Sequence, residues 1–159
     1  MSREAVMTPP FPSSEWFGAL AACASESLDF ERLGFADLRL AFEMSDAPGG
    51  PRSFGVVLDG YDVTSEGELD AAASFDADAT IRGPLATWEE MVSNIVEHGM
   101  ADGAHTLNAL TIAGLPLAIV SSDPVRRDRV YRFAETVQQL LDSAAGIQHR
   151  RAQVAEAIS

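Results

Sequence analysis

Three polar residues, His98, Asp102 and His105, form the one compact set in this chain suited to proton transfer. A histidine beside a carboxylate can act as a general base, because the carboxylate orients the imidazole and steadies its charged form. The two histidines stand seven positions apart across a glycine-containing loop. That is not the i, i+4 helical spacing of a zinc site, so no metal centre is expected. The plainer alternative for the set is a helix-end histidine and a surface loop. Cys23 is the only cysteine. It reads as a small core residue on a helix rather than as a nucleophile. Arg126, Arg127, Arg129 and Arg132 are the one basic cluster on an acidic molecule. They could steer an anionic head group or an acidic protein partner, or simply form a solvated helix face.

Composition removes several chemistries. The 159 residues carry a formal charge of −13, with a pI near 4.4. Phosphate binding needs a basic footprint, so nucleic acid is not an expected partner. Every basic residue is arginine. The chain therefore offers no Schiff-base lysine, no lysine for pyridoxal phosphate and no P-loop lysine. With one cysteine there is no internal disulfide and no CxxC pair for zinc or an iron–sulfur cluster. No cofactor is expected. Met1 to Trp16 lacks the long apolar stretch of a secretory signal, and no run approaches the ~20 residues of a membrane span. The chain reads as cytoplasmic and not as an integral membrane protein.

The length suits one domain with one sizeable core. Residues 1–12, with Pro9, Pro10 and Pro12, read as a loose N-terminal arm, 13–146 as the domain, and 147–159 as a polar, alanine-rich tail. Ser13 or Ser14 caps a helix through about Leu28, with Phe17, Leu20, Ala21, Ala24 and Leu28 on one side. Asp29 to Gly34 is a connector that could hold another helical turn. The period then changes. Leu38, Leu40, Phe42 and Met44 alternate with Arg39, Ala41 and Glu43, which is strand patterning. Asp46 to Pro51 is a turn-rich loop, and Phe54, Val56 and Leu58 form the answering strand. Asp59-Gly60 turns the chain into a third strand from Tyr61. Ala71 to Phe75 reads as a fourth strand or a continuation of the third, and Ala79 to Gly83 as a further short one.

Two capped helices follow. Thr87-Trp88-Glu89-Glu90 has the form of a capping box, with Thr87 at N-cap and Glu90 at N3. Trp88, Met91, Val92, Ile95 and Val96 then line one face, and Gly99 ends the helix with His98 in its last turn. Thr106 to Ala113 reads as a short helix carrying Leu107 and Leu110. Gly114-Leu115-Pro116-Leu117-Ala118-Ile119-Val120 reads as a buried strand, with Pro116 implying an edge or a bulge. Asp123-Pro124 opens a last long helix, striped by Val130, Phe133, Ala134, Val137, Leu140 and Leu141 and broken by Gly146. Strands in the middle with helices before and after give an α+β fold rather than a βαβ nucleotide fold.

This order resembles the sterol carrier protein 2 family, the SCP2-like lipid-binding domain, from about Trp16 to Leu141. The resemblance rests on Phe54-Gly55-Val56-Val57-Leu58-Asp59-Gly60. It rests also on Ala77-Asp78-Ala79-Thr80-Ile81-Arg82-Gly83 with the following helix, and on Ala113-Gly114-Leu115-Pro116-Leu117 leading to Asp123-Pro124. It implies a five-stranded, mainly antiparallel sheet covered on one face by helices, enclosing an apolar tunnel for fatty acyl chains, acyl-CoA or sterols. The family often carries lysine around the glycine-strand segment, where this chain has Leu115-Pro116-Leu117.

On that footing Trp88, Met91, Val92, Ile95, Leu107, Leu110, Phe133, Val137 and Leu141 are the candidate ligand-lining residues. The first functional reading is a non-enzymatic carrier of a hydrophobic small molecule. Burying ten methylenes gains roughly 8 kcal/mol, offset in part by lost ligand freedom. The alternative is an enzyme, or an accessory subunit of one, acting on an apolar or aromatic metabolite with His98, Asp102 and His105 as acid–base groups. A third reading is a homodimerisation domain whose groove takes a partner helix.

Overall fold

The computed structural model describes residues 8–70 and 75–147. Helix α1 spans Ser14–Ser25, and Ser13 Oγ caps it by accepting the Trp16 N–H at 3.1 Å. It buries Trp16, Phe17, Leu20, Ala21 and Ala24, the side its apolar spacing marks. It does not run on to Leu28. Ser27 caps a separate short helix α2, Leu28–Arg32, which leaves Leu28 69% exposed and buries Phe30 instead. A second N-cap serine two residues past the end of α1 restarts the chain in a new direction.

Five strands make one open sheet: β1 Ala36–Met44, β2 Arg52–Gly60, β3 Asp62–Glu68, β4 Ala79–Gly83 and β5 Ala118–Val120. Their spatial order is β3-β2-β1-β4-β5. Only the β1–β4 pair is parallel, and the other three are antiparallel. The register puts Leu40 opposite Val56 and Phe42 opposite Phe54, with Leu40 beside Ala79 and Phe42 beside Ile81 across the parallel pair. One face of β1, β2 and β4 is thereby apolar, and the helices cover it, whereas β3 buries only Val63. Of the expected strand at Ala71 to Phe75, residues 71–74 lie outside the described residues, and Phe75 is helical. Its ring covers Gly55 on the opposite face of the sheet, where an added Cβ would come within 2.8 Å of it. Arg39 stacks over the same ring at 4.4 Å and donates to the Phe75 carbonyl.

Helix α3 spans Leu85–His98, and its start differs from the capping-box expectation. Pro84, not Thr87, occupies the N-cap, and no side chain of the helix caps it locally. Asp46 does so from across the β1–β2 loop, its Oδ1 accepting the Leu85 N–H at 2.7 Å. A proline has a fixed φ and favours an extended residue ahead of it, so the chain turns helical there, three residues early. The helix ends as expected at Gly99, in the left-handed region at φ 85°. Trp88 anchors it, donating Nε1–H to the Glu43 carbonyl at 3.0 Å and meeting Phe42 edge-on at 5.8 Å. Phe42 also stacks on Phe17, which stacks on Phe54 at 4.7 Å.

Short helix α4, Leu107–Thr111, is capped by Thr106. The expected buried strand at Gly114 to Val120 is a three-residue edge strand, β5. Leu115 is 76% exposed, and only Leu117 is fully buried. Its apolar run is packed from one side only, which apolarity alone does not reveal. Helix α5, Pro124–Arg132, has the expected Asp123 cap, accepting the Val125 N–H at 2.9 Å. The last helix is not continuous. It breaks at Phe133 (φ −103°, ψ 26°) and resumes as α6, Ala134–Asp142. No glycine or proline marks that joint, so the periodicity runs through it. Gly146 does not break the helix either: the turn falls at residues 143–144, and 145–147 are helical again. Gly146 faces Cys23 on α1, and Ile147 is 2% exposed. At the other end Phe11 meets Trp16 edge-on at 4.6 Å, so packing reaches residues on both sides of 13–146.

Candidate functional site

The polar set identified first is only partly assembled. Asp102 Oδ1 lies 2.7 Å from His105 Nδ1 and also accepts the N–H groups of Ala104 and His105. Its other oxygen accepts from Asn94 Nδ2 at 3.0 Å, while the Asp102 N–H donates to Asn94 Oδ1 at 2.8 Å. His105 Nε2 faces Glu90 at 3.6 Å. The hydrogen bond from His105 holds the Asp102 carboxyl below its usual range, and the same partner raises the imidazole. His98 stands exposed at the end of α3 and joins none of these contacts. Ala101 N–H and Gln138 Nε2 both donate to Asp142, and Leu107 N–H donates to Gln138 Oε1 at 2.6 Å. Residues 99–106 are therefore stitched to α3 through Asn94 and to α6 through Asp142. Asn94 was not singled out from the sequence. Its signal was there: a polar residue on the buried side of α3, between Met91 and Ile95.

The arginine cluster divides in the same way. Arg126 donates Nε to Asp78 Oδ1 and a terminal nitrogen to Asp76 Oδ1, each at 2.8 Å, and reaches the Asp76 carbonyl at 2.7 Å. Asp76 and then Asp78 raise the guanidinium further above its ordinary value, and Arg126 in turn lowers the Asp76 carboxyl. Asp78 is buried and also accepts the Arg39 backbone N–H at 2.8 Å. Arg126 thus pins the start of α5 to the segment that leads into β4. Arg129 lies 3.8 Å from Asp78, while Arg127 and Arg132 are exposed.

The nine apolar candidates fall into two groups. Trp88, Met91, Ile95, Val137 and Leu141 are closed into the core, together with Leu107, which keeps an edge on the surface. Val92, Leu110 and Phe133 are half-buried and pack against it. Two apolar clefts open beside them. One, of about 330 Å³, is walled by Phe11, Trp16, Val92, Val96 and Ile147. The other, of about 360 Å³, lies between α4, β5, α5 and α6. Leu107, Ile119 and Ala134 give it an apolar wall, and Thr106, Asn108, Thr111, Tyr131, Glu135 and Gln138 give it polar groups. Neither cleft is lined by His98, Asp102 or His105. Ile119, Tyr131 and Gln138 were missed in the sequence, because the joint at Phe133 that brings them together has no sequence mark.

The fold has solved counterparts. A conserved hypothetical protein of Thermus thermophilus, described as possibly a sterol carrier protein, superposes with a TM-score of 0.62 at 18% identity. The match covers 89% of this chain and 91% of that one. A crystal structure of sterol carrier protein 2 superposes with a TM-score of 0.61 at 22% identity, covering 86% of this chain and 98% of the other. This chain has the sterol carrier protein 2-like fold. The mixed architecture, the mostly antiparallel sheet and the helices on one face all agree with the expectation from the sequence. No family model and no curated protein matches the chain. Among the described residues no helix is long and apolar enough to cross a membrane.

Proposed function

We propose that this protein binds or carries a hydrophobic small molecule, taken up at the cleft between α4, β5, α5 and α6. One observation carries the reading. On a fold shared with sterol carrier protein 2, this corner leaves an apolar-walled cleft of about 360 Å³. Small-molecule sites typically span ~300–1,000 Å³, mostly apolar with a few placed polar groups.

A bound acyl or ring system would lie against Leu107 and Ile119 and extend toward Leu110 and Phe133, with Val137 behind them. Trp88, Met91, Ile95 and Leu141 stay in the closed core and line neither cleft, and Val92 lines the separate cleft beside Phe11 and Trp16. The test is calorimetric titration of the delipidated protein with long-chain alcohols, acids and sterols. The expected result is a single site with a negative heat-capacity change, the mark of apolar burial. No binding by any member of that panel would sink the carrier reading. Alanine at His98 and at His105 tests the acid–base alternative. A carrier keeps its affinity in both variants, whereas a general base would lose 10² to 10⁴ in turnover.

A further inference from the structure

We infer that the cleft selects amphiphiles whose head group is uncharged or cationic, and rejects carboxylates and phosphates. The inference rests on the carrier reading and names its ligand class. The cleft carries one formal charge on its lining, Glu135, and no arginine or histidine. Glu135 sits in the first turn of α6, exposed at the rim. No ion pair neutralises it among the described residues. A second carboxylate stands behind the wall: Gln138, a lining residue, donates Nε2 to Asp142 Oδ1 at 3.0 Å. That bond, with Gln138 Oε1 accepting from Leu107 N–H, fixes the amide in place.

The remaining polar groups suit a hydroxyl. Tyr131 and Asn108 are among the lining residues, and neither side chain is hydrogen-bonded to the described residues. Thr111 is already committed, donating to the Leu107 carbonyl at 2.8 Å. An alcohol or ring hydroxyl can both donate and accept, so it can pair with either group without bringing a charge to the cleft. A carboxylate there meets Glu135 with no cation to offset it, on a molecule whose formal charge is −13. The cations of α5 do not relieve this. Arg126 is held by Asp76 and Asp78 away from the cleft, and Arg127, Arg129 and Arg132 are not among the lining residues. Glu135 is exposed, so its repulsion of a like-charged head group is modest and is screened by salt.

The experiment compares 1-dodecanol, dodecanoate and dodecylammonium by displacement of a hydrophobic dye at about pH 8, where the acid is ionised and the amine protonated. The tail is constant, so only the head group varies. The expected order places dodecanol and dodecylammonium at least about tenfold tighter than dodecanoate, a gap of about 1.4 kcal/mol. In Glu135→Gln the dodecanoate gap should narrow several-fold while dodecanol is unmoved. Raising the salt to about 1 M should narrow it in the parent protein, because exposed charges are screened. Ala134→Trp, which fills the cleft, should weaken all three. Dodecanoate binding as tightly as dodecanol would overturn the inference and leave the carrier reading standing. A gap unchanged in Glu135→Gln would overturn the assignment of selectivity to this cleft. Failure of all three probes would overturn the carrier reading, and this inference with it.

Discussion

The two edges of one sheet are finished in opposite ways. At the β3 edge, α1 lies along the strand and its serines engage the strand backbone. Ser25 Oγ accepts the Val63 N–H and donates to the Val63 carbonyl, and Ser14 Oγ accepts the Glu68 N–H at 2.9 Å. Behind that edge Phe17 stacks on both Phe42 and Phe54. At the β5 edge the strand is three residues long and its side chains are half-buried or exposed. The helices beyond it meet at a joint rather than a continuous face, and the cleft opens there. An unpaired edge is a liability, and this protein seals one and leaves the other short. The sealed half is closely packed around Phe17, whereas the open half leaves a cleft of about 360 Å³.

The largest expected effect lies in the sealed half. Phe17→Ala removes a ring stacked on two others in a fully buried site and should cost about 3–5 kcal/mol, read as a shift of the urea midpoint. Ile119→Ala, in the half-buried edge strand, should cost less than half as much, because its site is already partly open. Equal losses in the two variants would erase the distinction between the halves.

A smaller effect sharpens the boundary between them. Gly83 ends β4 where β5 approaches. A Cβ added there would collide with the Leu117 side chain and come within 2.7 Å of the Pro116 carbonyl oxygen. Backbone cannot move aside as a side-chain tip can, so Gly83→Ala should cost about 1–3 kcal/mol. Because the strain falls on the arm leading to β5, dye binding at the cleft should weaken as well. A variant destabilised to that degree with unchanged dye affinity would show that β5 does not set the cleft's shape.

What was legible in the sequence follows the same division. The alternation in β1 and β2 and the spacing in α1 and α3 report a face packed against a complete layer, so periodicity found them. The Asp123-Pro124 start was legible because a cap is local chemistry. Asp46 capping α3 was not, since its partner is 39 residues away. Pro116 marked β5 as an edge or a bulge, but its shortness and the joint at Phe133 were hidden for a related reason. An apolar residue that packs on one side and fronts a cleft on the other looks like any core residue. The acid–base set was found as residue types. Its work as a loop brace depends on Asn94, which chain distance does not connect to it.

The smallest expected effect concerns that brace, and its sign is fixed. His105 has its ionisation raised by Asp102, so what the imidazolium contributes is full below the unfolded value of about 6.5 and is lost as pH rises through the higher folded value. Asp102 is lowered by His105, so its contribution is present above the unfolded value near 3.9 and is lost as pH falls through the lower folded value. The pair is complete only between those two limits. Urea midpoints followed from acid to mildly alkaline pH should therefore show a plateau that declines at both ends. Both side chains are partly exposed, so the amplitude is small and should shrink with salt. His105→Gln should remove the alkaline decline while keeping the acid one, because Asp102 retains its bonds from Asn94 and Ala104. An alkaline decline that survives in His105→Gln would assign it to another group and leave the 99–106 segment braced by Asn94 and Asp142 alone. Since Thr106 closes that segment and lines the cleft, the same series read by dye affinity tests whether the brace reaches the open half. A carrier whose cleft depends on it loses affinity in step with stability at alkaline pH.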